Sequence, residues 1–139
     1  MTDVVLNKIQ SIQRCVKRAR EIYNKNPIGF FDDFDLQDAA VLNIIRACDL
    51  SIDLANHVIK TYQLGIPNSS AESFNLLAQK GIISTEMSAG LKKMVGFRNI
   101  GVHEYRRIDY KIVESIIKTD MDELVALTDC IREFDGKNP

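Results

Sequence analysis

Apolar residues near the start of the chain fall at Val5, Ile9, Ile12, Val16, Ala19 and Tyr23, steps of three or four that trace one face of a helix. Asn26-Pro27 with Gly29 closes that helix. A second stripe passes through Leu36, Ala40, Ile44, Ala47, Cys48, Ala55, Val58 and Tyr62. It predicts a long helix that starts near Asp33 or Asp35, with Asp38 also close to the positive end of the helix dipole, and ends at Gly65-Ile66-Pro67. Ser69 and Glu72 have capping-box spacing and open a short helix carrying Phe74, Leu77 and Ala78, which stops at Gly81. Ser84-Thr85-Glu86 opens a fourth helix presenting Met87, Leu91, Met94 and Val95. Asp109 caps the last, whose face includes Ile116, Ile117, Met121, Leu124, Leu127, Ile131 and Phe134. No stretch alternates with period two for long enough to compete as a strand. The pattern predicts an all-α antiparallel bundle of four main helices plus a short one, a single domain over 1–139 with neither repeat nor linker.

Composition narrows the class. Of the 139 residues 45% are apolar and 27% charged, ordinary for a globular chain and unlike a disordered or low-complexity one. No apolar run approaches the roughly 18–20 residues that cross a bilayer, and the N-terminal stretch Met1–Lys8 has an acid before its first base and no apolar core, unlike a signal peptide. Cys15, Cys48 and Cys130 are widely spaced and contain no CxxC pair, so they read as reduced, buried thiols of a cytoplasmic protein. With His57 and His103 the only histidines, a multi-histidine metal site within one chain is nearly excluded, and neither metal nor cofactor is expected. The net charge is −1 but unevenly spread: residues 1–26 hold six bases against two acids, 27–83 three against seven, 84–111 six against three, and the remainder three against seven. Solvated helix faces account for this, as does a basic groove for a polyanion beside an acidic surface for a basic partner. A pI near 6.1 argues against passive, high-affinity nucleic-acid binding but leaves room for a local site.

Reactive groups are densest in Phe97-Arg98-Asn99-Ile100-Gly101-Val102-His103-Glu104-Tyr105-Arg106-Arg107. On an ideal helix Arg98 and His103 lie about 140° apart, whereas Asn99 and His103 share a face. Gly101 before β-branched Val102 is a weak point for a helix. A bend there, with an extended segment after it, would let Arg98, Asn99, His103 and Tyr105 converge on one anion. These types suit metal-free cleavage of RNA, which supplies its own 2′-OH nucleophile: histidine moves protons near neutrality, and an arginine fork holds two phosphoryl oxygens. One such histidine per chain suggests a dimer sharing a cleft. Equally, Arg98 could pair with an acid of a neighbouring helix and His103 serve as a capping residue.

The Arg98-Asn99-Ile100-Gly101-Val102-His103 segment resembles the Arg-x4-6-His signature of the HEPN superfamily, and His103-Glu104-Tyr105 extends it to the Arg-x4-His-x-Tyr form of HepT toxins. Leu42–Cys48, Ile52–Val58, Leu64–Pro67, Ser73–Leu77 and Leu91–Phe97 are similar in style to the same family, so the resemblance spans roughly residues 4–130. It implies a HEPN helical fold, a homodimer with the two signatures lining one cleft, and a metal-independent ribonuclease in which Arg98 and His103 are catalytic and Asn99 supports them. It further implies a MntA-like minimal nucleotidyltransferase antitoxin that silences the toxin by transferring AMP from ATP to Tyr105. Neither DNA nor a membrane is expected as a partner.

Other candidates carry two readings each. His57 is a packing residue of the second helix or a support of the cleft, and Asp53, one turn earlier, is placed to hold its imidazole. Lys92 and Lys93, ahead of Arg98, are solvated or track phosphates along the cleft. The rival to the toxin is a non-catalytic HEPN module that serves as the binding or regulatory subunit of a nucleotidyltransferase.

Overall fold

The computed structural model describes residues 3–138, so Met1 and Thr2 of the N-terminal stretch, and Pro139, lie outside it. Helix α1 (Asp3–Asn24) buries the expected stripe and Ile22 besides. Asn26 Oδ1 accepts the Gly29 N–H at 3.0 Å, and the chain turns through one short 3-10 segment, Phe30–Asp32. Phe30 is fully buried and meets Tyr23 edge-on at 5.2 Å. Its carbonyl accepts from the Gln37 side chain at 2.9 Å, which satisfies a buried amide. Asp33 then caps α2 (Phe34–Thr61) by accepting the Leu36 N–H. Its 28 residues make a rod about 42 Å long, the spine on which α1 and α4 pack.

The end of α2 differs from expectation. It comes before Gly65, at Gln63, whose φ of 53° is left-handed. Leu64 N–H reaches Ile59 O at 2.9 Å and Gln63 N–H reaches Lys60 O, the paired closure usually built on glycine. Helix α3 (Ser70–Gln79) begins as expected on Ser69, which accepts the Glu72 N–H, and Gly81 (φ 74°) closes it in the same way. Helix α4 (Thr85–His103) is capped by Ser84.

The last predicted helix is interrupted. Asp109 caps α5 (Tyr110–Ser115), a π turn follows over Ile116–Asp120, and α6 (Met121–Lys137) completes it. Arg20 of α1 donates to Ile117 O at 3.1 Å and pairs with Asp122 at 2.7 Å, which ties the irregular turn to the bundle. No strand occurs among the described residues. The all-α architecture of four long rods and one short helix is therefore as the pattern predicts. Its core is made by Ile9, Ile12, Ile44, Leu54, Leu77, Leu91, Ile117 and Met121, all at or near zero exposure.

All three cysteines are unbridged, but only Cys48 is buried; Cys15 and Cys130 are half-buried. Burial, with the Asp49 charge adding to it, pushes the Cys48 thiol up to about 12, so it is an inert packing group. No helix among the described residues is long and apolar enough to cross a membrane.

Candidate functional site

Helix α4 packs antiparallel to α2, and the register is set where Arg98 meets Asp49 and Gly101 sits over Ile45, with Tyr105, just beyond the end of α4, reaching Asp38. Gly101 is buried, and a Cβ built on it would lie 2.8 Å from Ile45 Cδ1 and 3.3 Å from Cγ1. The missing side chain serves a close approach of two helices, not a bend. Helix α4 continues through Gly101 to His103, where Glu104 N–H bonds to Ile100 O at 2.8 Å. The expected convergence of Arg98, Asn99, His103 and Tyr105 through a bend is thus corrected: Arg98 and His103 keep the helical separation of about 140°.

Arg98 is half-buried, and its Nε donates to Asp49 at 2.6 Å. An ion pair this open contributes about 0.2–1 kcal/mol, so it aims the guanidinium more than it holds the fold. Arg98 Nη1 donates to Asn99 Oδ1 at 3.3 Å, while Nη2 has no partner among the described residues. Asn99, at an angle between the other two, leans on Arg98 and not on His103. His103 is exposed in the last turn of α4 and has no hydrogen bond or ion pair to a described residue. An arginine held by protein on one edge and an accessible imidazole can grip a phosphodiester and move its protons.

Tyr105 follows in a 3-10 turn (Tyr105–Arg107), not in an extended segment. Its hydroxyl donates to the Asp38 carboxylate. Loss of water around the hydroxyl, then the Asp38 bond, then the nearby Tyr110 raise its pKa well above the ordinary phenol value. The residue is 41% exposed, so the phenol is accessible yet tethered. Arg107 of the same turn pairs with Glu104 at 2.9 Å.

Of the supporting candidates, Lys92 falls within about 40° of Asn99 and His103 on α4 and extends their open stripe. Lys93, about 100° further round, lines a groove against α5 and α6 beside Glu86 and Glu123, away from that stripe. His57 lies two turns beyond Asp49 on α2, and its Nε2 is 3.4 Å from Thr61 Oγ1. Asp53 is exposed and makes no bond to His57 among the described residues, so the expectation that it holds the imidazole is not met; the imidazole turns to Thr61 in the following helical turn. The sequence carries no signal that brings Asp49, Asp38 or Tyr110 to the site. Asp49 and Asp38 act across 49 and 67 residues of chain, a separation too long for any local pattern. Among the described residues no three His, Cys, Asp or Glu side chains cluster to hold a metal ion.

A family model described as ribonuclease HepT-like matches residues 12–131. A curated protein of Shewanella oneidensis, named mRNA nuclease HepT, is 43% identical over 132 residues, covering 95% of this chain and 98% of its own length. A solved structure described as the tri-AMPylated Shewanella oneidensis HEPN toxin in complex with MNT antitoxin superimposes with a TM-score of 0.90 at 43% identity, over 96% of this chain and 99% of that one. A Bacillus subtilis structure described as a cytosolic protein of unknown function, YutE, shares the fold at a TM-score of 0.77 and 17% identity, over 96% of this chain and 92% of that one.

Proposed function

The chain belongs to the HepT-like ribonuclease family, and from that membership we propose that it is the ribonuclease toxin of a toxin–antitoxin pair, with Arg98 and His103 at its reaction centre. The observation that carries the assignment of residues is their arrangement on α4: a protein-held guanidinium, an amide that accepts from it, and an imidazole unpaired among the described residues, all within two helical turns. RNA's own 2′-OH attacks the adjacent phosphorus while His103 takes its proton. Arg98 stabilises the charge of the phosphorane through its Nη edge, and the P–O5′ bond breaks. The products are a 2′,3′-cyclic phosphate and a 5′-hydroxyl, the latter formed as a protonated histidine returns the proton. Asn99 keeps Arg98 turned toward the open face, and Lys92 adds positive charge along the same stripe.

Because Arg98 and His103 diverge by about 140° on an unbent helix, one chain is poorly arranged to supply both sides of the reaction. A homodimer answers this, with two α4 ends facing across one cleft so that one His103 acts as base and the other as acid. The partner that silences it is a nucleotidyltransferase antitoxin, which transfers AMP to Tyr105. There the phenol oxygen attacks the α-phosphorus of ATP, pyrophosphate leaves, and Asp38 stands within hydrogen-bond distance to take the phenol proton. A neutral phenol with a raised pKa needs such an acceptor. The ester places a negative phosphodiester and a bulky adenosine beside the catalytic stripe, where they exclude RNA.

The test uses chain produced without any nucleotidyltransferase, with mass spectrometry confirming unmodified Tyr105, incubated with total RNA in EDTA beside a His103→Ala variant. Cleavage by the wild type that survives the chelator, leaves 2′,3′-cyclic phosphate ends and vanishes in the variant is the expected result. Equally intact RNA in both samples would overturn the catalytic reading and leave a binding subunit.

A further inference from the structure

Four of the eight arginines are paired with acids in this fold: Arg20, Arg98, Arg107 and Arg132. Of the other four, which have no ion pair among the described residues, three converge on one place. Arg14 and Arg18, one turn apart on α1, and Arg46 of α2 line a groove of about 440 Å³ between the two helices. Its remaining walls are Ile22, Ala39, Leu42 and the neutral polar Asn43 and Cys15, with no carboxylate among them. Burial raises the Cys15 thiol, against the opposing positive fields of Arg46 and Arg14. Three cations around an apolar floor, with no internal counter-charge, form a site short of an anion.

Resting on the ribonuclease reading above, we propose that Arg14, Arg18 and Arg46 hold the backbone phosphates of the single-stranded RNA substrate outside the cleavage centre. Position favours RNA over an acidic protein surface. Arg46 precedes Asp49, the partner of Arg98, by three residues of α2, about 4.5 Å of helix rise. One wall of the groove thus stands within a helical turn of the residue that aims Arg98, so we infer that a strand with its scissile phosphate on Arg98 continues toward it. Guanidinium forks fit phosphate oxygens in pairs, and the apolar floor with half-exposed Leu42 gives sugar and base edges a dry surface. The groove also assigns a use to the basic charge of residues 1–26, which the α4 centre leaves unexplained.

The test measures binding apart from cleavage. A fluorescent single-stranded RNA is titrated with the full chain carrying His103→Ala, and with the same chain carrying Arg14→Gln, Arg18→Gln and Arg46→Gln as well, over a series of salt concentrations. Circular dichroism confirms that both are folded. Removing one arginine from a phosphate should reduce the slope of log K against log salt by about 0.7, so the triple variant is expected to lose about 2 from the slope and to bind at least about tenfold more weakly near 0.1 M salt. With His103 restored, the three substitutions should raise KM and leave kcat within about twofold. Unchanged affinity and slope would overturn the proposal, as would weaker binding with the slope intact. Retained RNA affinity with lost antitoxin binding would also overturn it and assign the groove to an acidic protein. Cleavage by the wild type in EDTA would leave the ribonuclease reading standing in each of these cases.

Discussion

Replacing Gly101 with alanine tests whether the reaction centre depends on the close approach of α4 to α2. The new Cβ would sit 2.8 Å from Ile45 Cδ1 and 3.3 Å from Cγ1, where carbon atoms in good contact stand about 3.5–4.0 Å apart. Overpacking of this kind costs about 1–3 kcal/mol. The cost should fall toward the lower end, because Cδ1 is the far end of a half-buried side chain with room to turn. Alanine regains up to about 1 kcal/mol of helix propensity over glycine, so the net expectation is a loss of about 0–2 kcal/mol. The sharper quantity is the coupling. Ile45→Val removes Cδ1 at a cost of about 0.5–1.5 kcal/mol, and in that background Gly101→Ala should turn neutral or stabilising, a coupling of about 1–2 kcal/mol. Urea denaturation of the four members of the cycle measures it. Cleavage should follow, since a shift of α4's last turn moves His103 two residues on: about 10–100-fold slower in Gly101→Ala, recovering in the double variant. A Gly101→Ala chain that gains about 1 kcal/mol in both backgrounds, with no change in rate, would refute the close-approach argument.

Asp49→Asn keeps the shape but removes the charge that aims Arg98; kcat should fall about tenfold with stability changed by less than about 1 kcal/mol, read by single-turnover cleavage beside chemical denaturation. Tyr62 Oη lies 2.5 Å from Asp135 Oδ1 and 2.6 Å from Asn138 O, and the bond to that buried carboxylate pushes the phenol up to about 12. Tyr62→Phe keeps the edge-on contact with Phe134 and should cost about 1–3 kcal/mol. A folded-state pKa above the unfolded phenol's means that this stabilisation is complete below about pH 10 and drains as pH rises through about 12. The gap in unfolding free energy between wild type and variant should therefore stay level from neutrality to about pH 10 and close above it. A gap that widens above pH 10 would contradict the assignment.

The helices were legible because their information is local. Apolar steps of three and four residues, with Asp33, Ser69, Ser84 and Asp109 as caps, are set by neighbouring residues, and the structure uses all four caps. Two ends were not. A glutamine in the left-handed region closes α2 ahead of Gly65, and the π turn at Ile116–Asp120 is braced by Arg20 from far along the chain. At the site, the sequence by itself determined which groups stand together, since Arg98, Asn99, His103 and Tyr105 lie within eight residues. Only the tertiary structure decided where they point. Gly101 offers the same sequence signal whether it loosens a helix or lets two helices touch, and the choice depends on Ile45, 56 positions away. Asp49 on Arg98, Asp38 on Tyr105, and Arg46 beside Arg14 and Arg18 are likewise meetings of one helix with another. Their separations carry no periodic signal, so they come into being only when α1, α2 and α4 pack their apolar faces and bring the polar edges along.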